Sequence, residues 1–386
     1  VDSSRWARPF VWKDPTTLAR RQWLYGGHFI RQFASLTCAP GGVGKSVLEL
    51  LEAVVMASGK PLLGEAPKQR CRVWYWNGED PLEETERRLA AICLHYGLEA
   101  GDLEGWLMLG SGREADLILA EQTRDGAQLN GPNVQALTSL VHNEEIDVVI
   151  IDPFISSHRV TENDNNAIEL VAKAWARLAG ECNCAVELVH HTRKKMGSEE
   201  TTVEDGRGGS ALLAAVRVAR VINPMSDAEA TKAGIERRRS YFKVENGKAN
   251  LGPPPEAAAW FRFVGVDLGN GSPLEPGDSV GVVCAWQWPD HRADVTAADL
   301  LKVQQALDGG RWRLDAQATE WVGRPIADAL QLDFTAKGDT AKVKTLLKMW
   351  LQSGALVVVE GKDSKSNKKS FVEVGDWVRL DVETFS

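Results

Sequence analysis

Between an apolar run at residues 33–39 and a helical pattern at 44–56 lies the segment Ala39-Pro40-Gly41-Gly42-Val43-Gly44-Lys45-Ser46. No other feature of the chain limits its fold so sharply. Strand, glycine-rich loop and helix, in that order, build a loop that cradles phosphates: the glycines let backbone N–H groups approach the oxygens, and the helix N-terminus adds partial positive charge. Gly41, Gly42, Val43 and Gly44 are expected to supply that backbone, Lys45 to reach the β- and γ-phosphates of ATP, and Ser46 to offer its hydroxyl to Mg²⁺. Alanine stands at Ala39, where the pattern usually opens with glycine.

Such a loop belongs at the edge of a parallel sheet, and the sequence around it alternates accordingly. β-rich runs at 33–39, 72–77, 147–152, 184–190, 216–222 and 240–245 are separated by patterns of near 3.6 period at 44–56, 81–95, 133–142 and 166–179. This predicts a doubly wound α/β core, a mostly parallel twisted sheet covered on both faces. After Gly252-Pro253-Pro254-Pro255 the pattern turns strand-like at 260–266 and 279–288, which is expected to finish the core sheet antiparallel. The expected division is an N-terminal segment at 1–32 that packs on a neighbouring subunit, an ATPase core at 33–290, and a second unit at 295–386.

Within this frame the chemistry falls on strand ends. The all-apolar Val148-Val149-Ile150-Ile151 ends in Asp152, where a carboxylate sits beside the phosphate loop and can orient the metal. Trp74-Tyr75-Trp76-Asn77-Gly78-Glu79-Asp80 offers Glu79 to polarise an attacking water. The plainer alternative has Asp80 capping a helix that opens at Pro81, with Glu79 merely solvated. His191, immediately after the run 184–190, is placed to hydrogen-bond the γ-phosphate. Residues 192–206 are too long and polar for an ordinary connection. That loop starts with Arg193-Lys194-Lys195, which can neutralise nucleic-acid phosphates or form a solvated face.

Composition narrows the class without deciding it. Hydrophobic residues at 44% and charged residues at 25% are those of an ordinary globular protein. No run is long enough to span a membrane and no signal peptide is evident, so the cytoplasm is the expected place. Of the six cysteines, Cys38, Cys71 and Cys184 lie in apolar runs, where thiols pack as small hydrophobes. A net charge of −8 leaves nucleic-acid binding to local clusters.

Taken in order, these segments resemble the RepA-like hexameric replicative helicases of plasmids, phages and mobile elements, a branch of the RecA-like ATPases. The likeness covers roughly residues 20–255. It rests on A-P-G-G-V-G-K-S, N-G-E-D-P, I-I-D and L-V-H-H-T-R-K, then Arg207-Gly208-Gly209-Ser210-Ala211-Leu212 with Arg217 following, and Lys248-Ala249-Asn250. The resemblance implies Glu79 as the catalytic carboxylate, Asp152 for the metal, His191 as γ-phosphate sensor, Arg88 near the nucleotide, and Arg217 as an arginine finger serving a neighbouring subunit. Arg217 on a solvated strand edge, like Arg220, is the alternative. Leu251 stands where relatives carry an aromatic residue that stacks on the base. The partners implied are single-stranded or forked DNA, further copies of the chain in a homo-oligomer, expected to be a hexamer, and a replication loading or primase protein. Loops at 158–166 and 192–206 then face the DNA. The first is acidic, which leaves the second to hold phosphates.

Beyond the likeness, helical patterns at 297–307, 320–330 and 340–351 precede strand runs at 355–360 and 370–374, the order of a winged helix. From residue 336 to 370 eight lysines stand against three acids, a balance of +5. Lys344 and Lys348 point away from the apolar stripe of their helix, and Lys365 and Lys368 lie in the hairpin tip. This arrangement suits forked or duplex DNA, a protein-docking role being the alternative.

Overall fold

A computed structural model describes residues 7, 9–192, 200–206, 209–253, 255–290, 295–363 and 366–378. Its elements in chain order are β1 Trp23–Tyr25, β2 Phe29–Ile30, β3 Ala34–Ala39, α1 Lys45–Ser58, β4 Val73–Asn77, α2 Leu82–Tyr96, β5 Leu107–Ser111, β6 Ala120–Thr123, β7 Gly126–Leu129, α3 Gly131–Asn143, β8 Val148–Asp152, α4 Asn165–Glu181, β9 Ala185–His191, α5 Gly209–Ala215 and β10 Val218–Pro224. Then follow α6 Asp227–Ala233, β11 Tyr241–Ala249, β12 Ala259–Asp267, β13 Ser279–Trp286, α7 Ala297–Leu307, β14 Trp312–Arg313, α8 Gly323–Ala329, α9 Lys337–Ser353, β15 Leu356–Lys362 and β16 Lys368–Val374. Among the described residues no helix is long and apolar enough to cross a membrane.

The large sheet runs β13-β12-β11-β10-β3-β9-β8-β4-β5. From β10 to β5 every neighbouring pair is parallel, as the alternating pattern predicts. Val148, Val149, Ile150 and Ile151 of β8 are completely buried. A strand apolar on both faces is what a covered parallel sheet produces. The thiols of Cys38, Cys71 and Cys184 are likewise enclosed, and burial pushes each up to about 12.

The last part of the N-terminal segment at 1–32 is structured within the chain itself. β1 and β2 pair as a hairpin, and Leu24, Tyr25, Phe29 and Ile30 are at most 5% exposed within the chain's own core. Apolar residues this close to β3 gain more from the adjacent core than from solvent. β5 to β7 carry no clear strand signal in the sequence, their short runs being broken by Gly110, Asp125 and Gly126.

Beneath α1 the core holds a charged cluster. Arg220 of β10 is not on a solvated strand edge: it bonds Glu49 at 2.9 Å, Glu52 at 2.8 Å and the Thr37 hydroxyl at 2.8 Å. Thr37 in turn donates to Glu187 Oε1 at 2.6 Å, and Glu187 Oε2 accepts from Ser35 and from His28 Nε2 at 2.7 Å. Burial, reinforced by Arg220, holds His28 below its usual range, so the imidazole is a neutral donor here. Removing one member of such a group strands a buried charge, at a cost of about 3–5 kcal/mol.

Two compact units emerge, and no single boundary near residue 290 separates them. The first comprises Val1–Asn223, Val244–Ala259 and Phe263–Ala285; the second comprises Pro224–Lys243, Trp260–Arg262 and Trp286–Ser386. Within the second, α7, α8 and α9 pack Val303, Leu307, Trp321, Ile326, Leu346 and Trp350 together with Leu356 and Val372. The antiparallel sheet there has the order β14-β16-β15.

Candidate nucleotide site

β3, β9, β8 and β4 lie side by side and parallel, so their carboxyl ends share one edge of the sheet. That edge is where open α/β sheets bind ligands. The phosphate loop leaves β3 there, turning at Gly42 (φ 78°) and Gly44 (φ 103°). Only glycine fits Gly44, because a Cβ would also lie 2.1 Å from Cζ of Phe263 on β12. Lys45 opens α1, and its Nζ stands 3.9 Å from Asp152 Oδ1 at the end of β8.

Asp152 is completely buried, and its two oxygens differ. Oδ2 accepts from the Tyr75 hydroxyl at 3.0 Å, whereas Oδ1 has no hydrogen-bond partner. A buried carboxylate oxygen left open toward a lysine at the mouth of a phosphate loop fits a Mg²⁺ site. Tyr75 went unnoticed in the sequence, where it reads as one more apolar residue of Val73–Asn77. Burial, then Asp152, pushes its hydroxyl well above the usual phenol range, keeping it a donor.

The turn after β4 presents Glu79. Asn77 Oδ1 accepts the backbone N–H of Glu79 at 2.9 Å and of Asp80 at 2.7 Å, while Arg113 Nε donates to the Glu79 carbonyl at 2.8 Å. Gly78 passes so close to Ser156 that a Cβ would lie 2.2 Å from the serine Cβ. The Glu79 side chain projects half-exposed, and its Oε1 lies 3.7 Å from His191 Nε2. Alternation along β9 sends His190 inward, against Phe154, and His191 toward Glu79. Asp80 does not cap α2. Pro81 is the N-cap, and Asp80 instead accepts from Arg88 Nη1 at 2.8 Å, with Glu84 3.1 Å from Arg88 Nε. Arg88 is thus held by two carboxylates.

Arg217 lies elsewhere. Its N–H bonds the Ala34 carbonyl, and Val218 is in register with Ser35, so Arg217 sits at the amino end of β3 while the phosphate loop leaves the carboxyl end. At strand rise, Ala34 and Ala39 are roughly 17 Å apart, beyond the reach of an arginine side chain. Arg217 is exposed. Beside it Lys248 donates to the Leu213 carbonyl at 2.7 Å, and burial, then Arg217, lowers the Lys248 pKa.

Of the remaining candidates, Lys344 and Lys348 point out from α9 and Lys368 is exposed at the start of β16. Arg193, Lys194, Lys195 and Lys365 lie outside the described residues. In the acidic loop, Asp164 caps α4 by accepting the N–H groups of Asn166 at 3.0 Å and Ala167 at 3.2 Å, which gives that carboxylate a structural task.

A phosphate loop on the carboxyl edge of a parallel sheet, with a buried lysine and aspartate facing each other, defines the nucleotide site of a P-loop ATPase. The chain belongs to the AAA-domain family, which matches it over residues 4–197. Among solved structures it is similar to the "ATPase Domain of G40P", at 13% identity and a TM-score of 0.46, covering 65% of this chain and 86% of that one.

Proposed function

We propose that the chain is a RecA-like, RepA-like DNA helicase that assembles as a ring, hexameric in its complete form, and couples ATP hydrolysis to movement along single-stranded DNA during replication of a plasmid, phage or mobile element. The observation that carries the reading is the separation of Arg217 from the phosphate loop of its own chain. An exposed guanidinium at the far edge of the sheet can serve a phosphate only in another copy. The basic run of α9 and the β15–β16 hairpin, read as a winged helix, supports forked DNA as the partner.

In this reading Gly41, Gly42, Val43 and Gly44 bind phosphate oxygens through their N–H groups and Lys45 neutralises the β- and γ-phosphates. The Ser46 hydroxyl and Asp152 Oδ1 would hold Mg²⁺, which shields the phosphate charge when bound. Glu79 orients the attacking water and accepts its proton. His191 donates to a γ-phosphate oxygen, and Arg217 of a neighbouring copy stabilises the charge that develops in transfer. Arg88, fixed by Asp80 and Glu84, borders the nucleotide.

Strand separation of a forked duplex, dependent on ATP and absent in Lys45→Ala, is the expected result. DNA-stimulated hydrolysis with no strand separation would replace the helicase by an ATPase that assembles on DNA without unwinding it.

A further inference from the structure

The second compact unit carries a cleft of about 410 Å³ lined by Lys232, Trp288, Asp290, Thr345, Lys348 and Met349 among others. Trp288 is only partly buried, and the Lys232 ammonium hovers 5.5 Å from its ring centroid. Its edges are fixed by two further indoles, Trp260 at 5.3 Å and 88° and Trp286 at 5.5 Å and 56°. Tyr241 braces Trp286 from behind at 5.2 Å. A tryptophan so braced is a rigid platform, so little conformational freedom is lost when a flat group lies on it.

The surrounding charge selects what that group is. From residue 224 to 243 five cations stand against three acids. Lys232 and Lys348 flank the cleft, Lys344 follows one turn away on α9, and Arg262 lies exposed on the same face of β12 as Trp260. Asp290 is the opposing charge on the rim. An aromatic platform between lysines matches an unpaired base with its phosphate. A duplex keeps its bases stacked and offers no such face. The volume is that of a small-ligand pocket, enough for one nucleotide.

We infer that this cleft is a site for single-stranded nucleic acid, with one base stacked on Trp288 and the adjoining phosphate held between Lys232 and Lys348. It deepens the helicase reading by giving the unwound strand a hold outside the ATPase core, and it rests on that reading only for what the hold is used for.

Binding of a fluorescein-labelled oligothymidylate to the full chain tests it, measured in the Lys45→Ala background so that turnover plays no part. Trp288→Ala should weaken binding about tenfold, the effect of losing one base–aromatic stack, while Trp288→Phe keeps most of the affinity. Lys232→Glu should weaken binding and reduce the salt slope by about one. Should Trp288→Ala disturb folding, seen as a large fall in thermal midpoint, the exposed Lys232 and the Trp288→Phe comparison still decide. Wild-type affinity in Trp288→Ala, or in Lys232→Glu, overturns the inference. So does a loss in Trp288→Ala that is equal for blunt duplex, or equally large in Trp288→Phe. Failure of the helicase reading appears separately, as absent unwinding by the wild-type chain with oligothymidylate binding still dependent on Trp288.

Discussion

The Tyr75 hydroxyl donates to Asp152 Oδ2 at 3.0 Å, and so leaves Oδ1 as the one oxygen of that carboxylate turned toward Lys45. Tyr75→Phe removes the donor without changing the shape of the core. A hydrogen bond to a charged group is worth about 1.5–3 kcal/mol, so the rate should fall about tenfold or more and the Mg²⁺ concentration for half-maximal ATPase should rise. An unchanged Mg²⁺ titration would show that Tyr75 supports the fold and not the metal-binding carboxylate.

Glu79 and His191 approach each other at the mouth of the site, and their roles separate by substitution. Glu79→Gln keeps the turn, which Asn77 and Arg113 hold through backbone groups. Nucleotide binding should therefore survive while hydrolysis drops by about 10²–10⁴, the range for losing a general base. Steady-state turnover at the wild-type rate would remove Glu79 from the reaction.

Arg217→Ala should lose about 10³-fold or more of its hydrolysis, as expected for a missing arginine finger, and still bind nucleotide. Mixed with Lys45→Ala chains, under conditions where subunit exchange has been demonstrated, it should regain activity, because some interfaces then pair an intact loop with an intact guanidinium. A mixture as inactive as either parent defeats the assignment in trans.

The buried cluster under α1 predicts a pH dependence. Folded His28 stays neutral because burial and Arg220 depress its pKa, whereas in the unfolded chain it takes a proton near pH 6.5. The unfolded state then binds more protons, so stability is complete above that pH and declines on acidification. Buried His158, lowered to about 4, acts in the same sense. Glu187, held low despite burial by the hydrogen bond from His28 and the charge of Arg220, adds loss further down, and Glu49, raised by burial, opposes it. Between pH 8 and 5 the thermal midpoint of His28→Gln should therefore fall less than that of the wild type. Equal falls would exclude His28 as a source.

What the sequence disclosed depended on whether the signal was local. The phosphate loop, Asp152 and Glu79 sit at strand ends marked by an apolar run, and the parallel core follows from the same alternation. Arg220 looks solvent-facing in the sequence because the two apolar residues beside it say nothing of Glu49 and Glu52, which reach it from a helix some 170 residues earlier. Tyr75, Arg113 and Phe263 were invisible for the same reason: their importance lies in what other elements bring to them. The membership of residues 224–243 in the second unit arises from tertiary packing that no composition shift announces.

If Arg217 serves a neighbouring copy, its placement and that of Lys45 toward opposite ends of β3 would give each chain a socket at one edge and a plug at the other. Copies joined socket to plug in an open row always leave the socket of one terminal chain unfilled, so the row holds one working site fewer than it has chains. Closure alone makes the two numbers equal. On the in-trans reading, turnover per chain would therefore rise with the length of the row and step up once more when its ends meet, so that specific activity measured against concentration would report closure directly.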